Sequence, residues 1–370
     1  MHNKYRSLRL SFYKRKLKMN ITITGTGSYI PEVIVPNSHF LTAKFKTADG
    51  LAITNTNEEI IQKFEAITGI SERRYALADH KASDLGFFAA EKAIDDAQID
   101  KETIDYIIYA HNFGDLSADK NQGDTLPSLA TRVKNLLGIK NPKCVAYDMI
   151  FGCPGWVEAL IQAKAFIQSG MAKTCLVIGG ETLSRITDEH DRDSMIFADG
   201  AGATILQQTE KGGNILAHAS ETHALDEAYY LYFDRSYESN KTEKQRYIKM
   251  LGRKVYEFAC IHVPKAMKSC LDQTNVQIEE VQKIFIHQAN EKMDEAIVKR
   301  FYKLYGKSVP ENIMPMNINF HGNSSVATIP TLLDMVRKYN LKNHYVKEGD
   351  LVLFASVGAG MNINAMVYRF

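Results

Sequence analysis

A cysteine stands at the point where a short strand pattern changes into a helix pattern, in the segment Asp148-Met-Ile-Phe-Gly-Cys-Pro-Gly155. Because proline favours the first position of a helix, Pro154 predicts that Cys153 occupies the N-cap. The free N–H groups and the dipole of a helix start stabilise a thiolate and lower the pKa of the thiol. The segment therefore suits a nucleophilic cysteine, although a small buried cysteine at a helix start has the same pattern.

Two further polar residues adjoin apolar segments. His287 ends the apolar run Ile284-Phe-Ile, and a side chain at the carboxyl end of a strand faces the crevice where α/β proteins bind ligands. Asn323 lies in a turn of small residues that opens an apolar helix pattern, where its amide could donate to a developing oxyanion. Each has a structural alternative: a hydrogen-bonded core histidine in the first case, and helix capping by Asn323 or Ser324 in the second.

The elements that must position these residues alternate between strand and helix, which predicts an α/β protein. Apolar runs predict strands at residues 21–30, 104–110, 144–148 and 175–178. Helical periodicity predicts helices at residues 83–97, with Ser83 as the N-cap, and at residues 126–137 and 156–169. The chain is 45% hydrophobic over 370 residues, which is enough for a large core and suggests two domains or a duplicated unit.

A weak internal repeat favours duplication. An apolar strand pattern is followed by Asp199-Gly-Ala-Gly202 in one part of the chain and by Gly358-Ala-Gly360 near its end. The repeat predicts two α/β halves, residues 19–206 with the cysteine and residues 207–370 with the histidine and the asparagine. The polar stretch 207–246 breaks the periodicity and is interpreted as a connection and surface excursion.

The charge is unevenly distributed. Seven of the 45 Lys and Arg residues lie in residues 1–18, which leaves 38 against 43 acidic residues, a net charge of −5. This mildly acidic body gives no support for nucleic-acid binding. The basic tail fits a transit peptide, a nucleic-acid or membrane arm, or sequence upstream of a true start at Met19, and the last interpretation is preferred because a strand pattern begins at once.

Other classes are disfavoured by what the sequence lacks. The chain has no stretch of about 20 apolar residues that could span a membrane. An odd number of cysteines, with no Cys-x-x-Cys spacing, argues against a disulfide framework or a zinc site and fits a reducing cytoplasm. The cysteines are Cys144, Cys153, Cys175, Cys260 and Cys270.

Taken together, the motifs from residue 21 to the end of the chain resemble those of beta-ketoacyl-acyl-carrier-protein synthase III, a condensing enzyme of the thiolase fold. The resemblance rests on segments in the same order and spacing: Gly25-Thr-Gly-Ser-Tyr-Ile-Pro31, Thr68-Gly-Ile-Ser-Glu-Arg-Arg74, residues 193–202, His287-Gln-Ala-Asn290 and Gly322-Asn-Ser-Ser325. It implies two duplicated α/β halves in five α-β-α-β-α layers, and a homodimer. It also implies an acyltransferase without metal or cofactor, acting on acyl-CoA or acyl-carrier-protein thioesters.

The resemblance also implies a role for each site residue. Cys153 would hold the acyl group, while His287 and Asn323 would donate hydrogen bonds to the enolate formed when a malonyl-type or beta-ketoacyl-type thioester loses CO₂. The backbone N–H groups of Cys153 and Ala359 would form the oxyanion hole. A catalytically inactive partner subunit is a remote alternative, because it would be expected to lack these side chains.

The sequence departs from the family in places that bear on the substrate. Members that bind coenzyme A carry a Trp and an Arg where this chain has Lys63 and Ile67, so acetyl-CoA priming is in doubt. Leu126 occupies the position of the residue that closes the acyl pocket, often Phe, after a longer loop. A larger acyl group is therefore expected, and similarity to dialkylresorcinol and flexirubin-type ketosynthases gives an alternative function in joining two longer acyl chains.

A basic stripe follows His287. Lys292, Lys299 and Lys303 share one face of the predicted helix, with Arg300 beside them, and similar positions dock the acidic acyl carrier protein in the family. Lys292, Lys299 and Arg300 are accordingly predicted to bind the carrier. The alternative is an ordinary solvated helix face.

Overall fold

Two β-sheets form the framework of the protein. The computed structural model describes residues 20–118, 120–238 and 244–370, and the basic tail at residues 1–18 lies outside these ranges. The first sheet has the strand order β1, β9, β8, β4, β7. Its strands are β1 (Asn20–Tyr29), β4 (Tyr106–Ala110), β7 (Val145–Met149), β8 (Thr174–Thr182) and β9 (Asp199–Thr209).

The second sheet repeats the topology of the first. Its order is β10 (Asn214–Thr222), β15 (Asn362–Arg369), β14 (Leu351–Gly358) and β13 (Val281–Ile286). In both sheets the first three strands are antiparallel neighbours and the fourth runs parallel to the third. The two Gly-Ala-Gly segments do not match in detail, because Gly200–Gly202 lies within β9 whereas Gly358–Gly360 spans the end of β14 and the turn before β15. The shared strand pairing, and not the glycine motif, supports the duplication that the repeat indicated.

The helices fall into three layers around the sheets. They are α1 (Asn57–Thr68), α2 (Ala82–Ala97), α3 (Leu129–Leu136), α4 (Gly155–Ser169), α5 (Gly252–Leu271), α6 (Glu291–Lys303), α7 (Ile318–His321) and α8 (Thr328–Arg337). Helices α2 and α3 pack on the outer face of the first sheet, and α5 and α6 on the outer face of the second. Helices α4 and α8 lie between the sheets. The predicted five-layered α-β-α-β-α arrangement is confirmed.

The central position of α4 explains its sequence. A helix between two sheets needs apolar side chains on most of its circumference, and Trp156, Val157, Leu160, Ile161 and Ile167 are all buried there. The helix ends at Gly170, whose backbone is left-handed, as glycine allows at a helix C-terminus. The prediction of a helix over residues 156–169 is confirmed within one residue.

Smaller elements complete the chain. Three two-stranded ribbons pair β2 (Val33–Pro36) with β3 (Glu72–Tyr75), β5 (Asp115–Ser117) with β6 (Lys120–Asp124), and β11 (Leu231–Asp234) with β12 (Tyr247–Met250). Short 3₁₀ helices lie at Asn37–Thr42, Lys101–Thr103, Leu183–Ile186, Arg192–Ile196, Ile278–Glu280, Ser325–Ala327 and Ala359–Met361.

The stretch 207–246 is not the surface excursion that its polarity suggested. Strand β9 continues to Thr209, so the connection between the sheets is the short segment 210–213. Strand β10 follows at once and forms the edge of the second sheet, with Ile215 and Ala217 turned inward. The apolar run in β10 is only Ile215 to Ala217, followed by mostly polar residues, so a prediction based on long apolar runs did not detect the strand.

Candidate active site

Cys153 lies in the turn between β7 and α4. Pro154 is the N-cap and Gly155 is the first helical residue, so Cys153 stands one position before the observed N-cap and the prediction that it occupies the N-cap is wrong. The side chain is partly exposed and lines a cavity. Gly152, with φ of 68°, makes the turn that brings the sulfur to this cavity.

The expected fall in the pKa of the thiol is wrong. Burial among protein groups raises the pKa of Cys153 to about 11, and the nearby Glu181 carboxylate acts in the same direction. A hydrogen bond from Ser325 Oγ, 3.2 Å from the Cys153 sulfur, opposes this rise. The helix begins two residues after Cys153, so the thiol does not occupy the N-cap position, whose side chain binds the first N–H groups of a helix.

His287 follows β13 directly and is buried. Its backbone N–H donates to the Ala355 carbonyl at 2.9 Å, which extends the pairing of β13 with β14 by one residue. Its Nδ1 lies 2.8 Å from Thr328 Oγ1. Burial lowers the pKa of His287 to about 4, so the imidazole is neutral at pH 7.

Asn323 is fixed by backbone and side-chain hydrogen bonds. Its backbone N–H donates to the Ile196 carbonyl and its own carbonyl accepts from Ala198 N–H, at 3.0 and 2.9 Å. Its Oδ1 accepts from Ser325 N–H at 2.8 Å, which leaves the NH₂ group as the end that can donate to a ligand. Ser325 begins the 3₁₀ helix Ser325–Ala327 that leads into α8, so the Asn323 oxygen makes a capping contact, which does not compete with donation from its NH₂ group.

The turn at Gly358 and Ala359 packs against the turn that carries Cys153. A β-carbon placed on Gly152 would stand 2.7 Å from the Ala359 carbonyl oxygen and 2.8 Å from its nitrogen. Only glycine permits this approach, and it brings Ala359 and Cys153 to the wall of the same cavity.

Cys153, His287, Asn323 and Ala359 thus line one cavity of about 300 Å³. The rest of its wall is mostly apolar. The hairpin β11–β12 forms one side. Phe113, in the loop after β4, packs against Phe233 of this hairpin, with their ring centroids 5.6 Å apart. The other apolar or aromatic side chains of the lining are Leu183, Ile196, Phe197, Leu231, Tyr232, Ile248, Met250, Val255, Tyr256, Met293 and Val357.

A buried ion pair anchors that hairpin. Lys249 on β12 is buried, and its Nζ lies 2.6 Å from Asp188 Oδ2 and 3.1 Å from Asp191 Oδ2. The carboxyl of Asp188 also accepts from Tyr237 N–H and Ser236 Oγ. The bonds from Lys249 lower the pKa of Asp188 against the effect of burial. The hairpin is therefore held to the segment after β8 by charge as well as by apolar contact.

Leu126 does not line this cavity. Helix α3 begins only at Leu129, with Ser128 as its cap, so Leu126 lies in the preceding loop and its side chain is 87% exposed. The prediction that Leu126 closes the acyl pocket does not hold within a single chain. Phe113, at the start of the same loop, occupies the wall instead.

The basic residues of α6 fall into two groups. Lys292 and Lys299 are exposed, and Lys292 adjoins Met293 at the cavity. Arg300 donates from Nη1 to the Cys260 carbonyl at 2.9 Å, so part of its donor capacity is used within the fold. Lys299 and Lys303 line a separate surface groove with Lys307.

Three polar residues near Cys153 escaped the sequence analysis. Ser325, Asn112 and Glu181 form a hydrogen-bonded group at the sulfur. Ser325 had a signal, since it belongs to the turn that holds Asn323. Asn112 follows the buried strand β4, and Glu181 lies at the end of the buried strand β8. His287 has the same kind of position, so a polar residue at a strand end could have indicated both residues as members of the site.

The described ranges contain no group of His, Cys, Asp or Glu that could hold a metal ion. Within the same ranges, no helix is long and apolar enough to cross a membrane. All five cysteines lie in the described part of the chain and are unpaired.

Comparison with known proteins identifies relatives of this arrangement. The family described as 3-oxoacyl-[acyl-carrier-protein (ACP)] synthase III matches residues 147–224, and its C-terminal region matches residues 271–370. The beta-ketoacyl-[acyl-carrier-protein] synthase III of Staphylococcus aureus strain JH1 is 31% identical over 353 residues, which cover 95% of this chain and 99% of the relative.

Solved structures agree. The 3-oxoacyl-[acyl-carrier-protein] synthase III of Aquifex aeolicus VF5 is 30% identical with a TM-score of 0.77, covering 95% of this chain and 100% of that one. The Thermus thermophilus enzyme is 29% identical with a TM-score of 0.78, covering 94% and 99%. OleA of Xanthomonas campestris, 19% identical with a TM-score of 0.75 and covering 95% and 100%, shares the fold. The chain belongs to the beta-ketoacyl-[acyl-carrier-protein] synthase III family of thiolase-fold condensing enzymes.

Proposed function

We propose that this protein is an acyltransferase that condenses an acyl thioester with a malonyl-type or beta-ketoacyl-type carrier-protein thioester, with loss of CO₂, in fatty-acid or related lipid synthesis. The observation that carries the proposal is the convergence of Cys153, His287 and Asn323 on one mostly apolar cavity. The three come from distant parts of the chain, and an apolar wall beside a thiol suits an acyl group.

In the first half-reaction the Cys153 sulfur attacks the carbonyl carbon of the acyl thioester. A tetrahedral oxyanion forms, and we place it against the backbone N–H groups of Cys153 and Ala359. Collapse breaks the bond to the carrier sulfur, which leaves as a thiol after taking up a proton. The acyl group remains on Cys153 as a thioester.

In the second half-reaction the incoming thioester loses CO₂, and its electron pair becomes an enolate. The neutral His287 and the NH₂ group of Asn323 are suited to donate to the enolate oxygen, since donors that carry no charge avoid protonating the carbanion outright. The carbanion attacks the acyl carbonyl on Cys153. The carbon–sulfur bond breaks, and a beta-ketoacyl thioester leaves.

The acyl carrier protein is the proposed macromolecular partner. Carrier proteins are acidic, and the exposed Lys292 and Lys299 stand on the helix that follows His287 and flanks the cavity. Arg300 uses one N–H donor in its bond to the Cys260 carbonyl, and its remaining guanidinium donors are proposed to contribute to this surface. No metal or cofactor is required by the proposed steps.

A homodimer is proposed from the edge of the first sheet. Strand β7 is the last strand of that sheet, and Val145 on it is 46% exposed, while Ile150 just after it is 69% exposed. Leu126 lies on the same side, because Leu129 and Ala130 N–H groups donate to Asp148 on β7. An open strand edge with apolar neighbours is a natural place for a second copy.

The five unpaired cysteines fit a cytoplasmic location.

A second candidate function is the joining of two longer acyl chains, as in dialkylresorcinol and flexirubin-type lipid synthesis. The aromatic and aliphatic wall formed by Phe113, Phe233 and Ile248 favours a larger acyl group than acetyl. Ile67 is exposed and stands where coenzyme-A-binding members carry an Arg that binds the adenine, which also argues against acetyl-CoA as the acyl donor.

Intact-protein mass spectrometry tests the proposal and separates the two candidates. Wild-type protein and Cys153→Ala are incubated with acetyl-, octanoyl- and longer acyl thioesters on CoA and on carrier protein. Acyl mass should appear on the wild type and be absent from Cys153→Ala. Label on another cysteine would refute the assignment, and the chain length labelled fastest decides between the candidates.

A further inference from the structure

Cys153 has a polar neighbour that the proposed mechanism leaves unused. Ser325 Oγ lies 3.2 Å from the Cys153 sulfur, and both line the cavity. Ser325 has φ of 54°, in the left-handed region that few residues other than glycine adopt. Its N–H donates to Asn323 Oδ1 at 2.8 Å. The backbone is thus held by the Asn323 side chain in an uncommon conformation that turns the hydroxyl toward the sulfur.

The direction of the hydroxyl is set by Asn112. Asn112 Nδ2 donates to Ser325 Oγ at 3.2 Å. Since the hydroxyl oxygen accepts this bond, its single hydrogen is left for the Cys153 sulfur.

The amide of Asn112 is in turn oriented by Glu181, which is fully buried at the end of β8. Glu181 Oε1 accepts from Asn112 N–H at 2.7 Å and from Asn112 Nδ2 at 2.6 Å. Because the backbone N–H is always a donor, Oε1 must be an acceptor, and the second bond therefore selects the NH₂ end of the amide. The other carboxyl oxygen, Oε2, is buried and makes no hydrogen bond within the described residues.

We propose that Ser325 is a catalytic residue whose hydroxyl stabilises the Cys153 thiolate by a hydrogen bond, and that Asn112 and Glu181 are positioning residues that aim this hydroxyl. The inference rests on the proposed role of Cys153 as nucleophile. A buried anion without a partner is costly, and a hydrogen bond to a charged acceptor is stronger than one between neutral groups. The bond therefore favours the thiolate over the thiol.

The charged and titratable groups around the sulfur make a neutral donor necessary. His287 is held neutral by burial, so it supplies no positive charge. Glu181 is the acidic group that acts on the thiol, and burial raises its pKa to about 7. Tyr232 and Tyr256 complete the titratable lining of the cavity. Since none of these groups is a cation at pH 8, the negative charge must be offset by neutral donors, and the Ser325 hydroxyl is the side-chain donor placed 3.2 Å from the sulfur.

The test measures the thiol directly. The rate at which iodoacetamide alkylates Cys153 is followed by mass spectrometry of the Cys153 peptide in the full-length wild type, Ser325→Ala and Ser324→Ala. The pH range runs from 7 to 12 because burial raises the pKa of the thiol to about 11, and the midpoint is obtained by fitting a single titration to the profile. Ser324 is the matched control, because it is the adjacent buried serine and its side chain lies against Gly200. Loss of the Ser325 bond should move the midpoint up by about one pH unit, which makes alkylation about tenfold slower at pH 8. An unchanged midpoint in Ser325→Ala overturns the proposal.

The positioning residues need a readout that simple loss of packing would not give. Asn112→Ala should raise the midpoint in the same direction as Ser325→Ala, and the double variant should show no further rise, because both act through one bond. Midpoint shifts that add in the double variant would show that Asn112 does not act through Ser325. Glu181→Gln keeps an acceptor oxygen and should restore the wild-type orientation, whereas Glu181→Ala should behave like Asn112→Ala. Equal damage from both Glu181 variants would show that Asn112 is not oriented in this way.

Two controls separate the possible failures. Thermal unfolding of each variant checks the fold, and if Ser325→Ala does not fold, Asn112→Ala tests the same bond from outside the turn. Wild-type protein that alkylates at Cys153 but takes no acyl group there would refute the proposed function and not the hydrogen bond. Wild-type protein that acylates normally, with Ser325→Ala keeping the same midpoint and acylation rate, would refute this inference alone.

Discussion

The backbone at Gly358 touches the backbone at Cys153: a β-carbon on residue 358 would stand 2.5 Å from the Cys153 nitrogen and 2.9 Å from its β-carbon. The strand β14 therefore ends against the turn of the other half that carries Cys153, the proposed nucleophile. This contact fixes the distance between the sulfur and the Ala359 N–H, on which the proposed oxyanion hole depends.

Gly358→Ala should disrupt this contact. The added methyl group must displace main-chain atoms, so we expect a loss of about 1–3 kcal/mol in the free energy of unfolding and a marked fall in acylation of Cys153. Urea unfolding and intact mass spectrometry measure the two effects. Gly200→Ala is the matched control, because a β-carbon there meets its nearest atom at 3.5 Å. Equal behaviour of the two variants would contradict the proposed tight junction.

His287→Ala and Asn323→Ala should separate the two half-reactions. Both residues are proposed to serve the enolate, so acyl-Cys153 should still form while condensation falls by about 10²-fold or more for each donor removed. The double variant should lose far less than the product of the single losses. Single-turnover assays with preformed acyl-enzyme measure condensation. Loss of acylation in His287→Ala, with decarboxylation intact, would make His287 the base that activates Cys153.

Thr328 should determine which nitrogen of His287 carries the proton. Donation from Nε2 requires an unprotonated Nδ1, and Thr328 Oγ1 can supply the necessary hydrogen bond from 2.8 Å. That hydrogen also has the Ser325 carbonyl within 2.9 Å, so the two acceptors compete for it.

Thr328→Val removes the hydroxyl and keeps the shape of the side chain. We expect condensation to fall by about fivefold, the value of a hydrogen bond worth about 1 kcal/mol, with acylation unaffected. Thr328→Ser should retain most of the activity. ¹⁵N NMR of the imidazole reports the tautomer, and an unchanged tautomer in Thr328→Val would show that another group sets it.

The rate of condensation should not fall at mildly acidic pH, as it would if a histidine of ordinary pKa became protonated. Because burial lowers the pKa of His287 to about 4, the ring stays neutral as the pH falls from 8 to 5.5. Decarboxylation by preformed acyl-enzyme should therefore stay nearly constant over that range, whereas a histidine of pKa about 6.5 would be mostly protonated at pH 5.5. A fall of about tenfold would show that His287 is more accessible to protons than its burial implies.

The same burial predicts a contribution to stability. The pKa of His287 is lower in the folded state than in the unfolded state, so the unfolded chain binds more protons between about pH 6.5 and pH 4. The contribution is complete above pH 6.5 and is lost as the pH falls through this window. Urea unfolding at a series of pH values, with His287→Gln for comparison, should give a steeper loss for the wild type.

Charge reversal on α6 tests the carrier surface. Lys292→Glu with Lys299→Glu should raise KM for a carrier-bound thioester and leave a small thioester analogue unaffected, because only the carrier presents an acidic surface. The difference should shrink at high salt. Lys254→Glu with Lys265→Glu, both exposed on α5, is the control because it makes the same change in net charge. Equal losses with both substrates would make the stripe structural.

The sequence was sufficient to predict that the proposed reacting groups share one cavity, because each is marked locally. Cys153, His287 and Asn323 each follow a recognisable junction between an apolar element and a turn, and their convergence follows from the fold of the family. The helix starts were predicted less accurately. Helix α3 begins at Leu129 and not at Leu126, so Leu126 lies in a loop away from the cavity. Helix α4 begins at Gly155, so Cys153 is not the N-cap on which the helix dipole was expected to act.

Long-range packing accounts for what the sequence could not give. The Asn112–Glu181 bond joins residues 69 positions apart, and the contact of Asn112 with Ser325 joins residues 213 apart. The cavity wall from β11 and β12 comes from two strands of four residues each, which are too short to show a clear alternation of apolar and polar residues. Neither feature leaves a periodic pattern in the sequence.

The hairpin β11–β12 gives the protein a modular character. It lies between β10 and α5 in the chain, supplies much of the cavity wall, and is attached to the rest of the fold through Lys249. Cys153, His287 and Asn323 all lie outside it. Chain-length preference can therefore diverge within one short interval of the gene while the reacting groups stay constant, and an exchange of residues 231–250 that retains Lys249 is the natural unit for transplanting substrate preference between relatives.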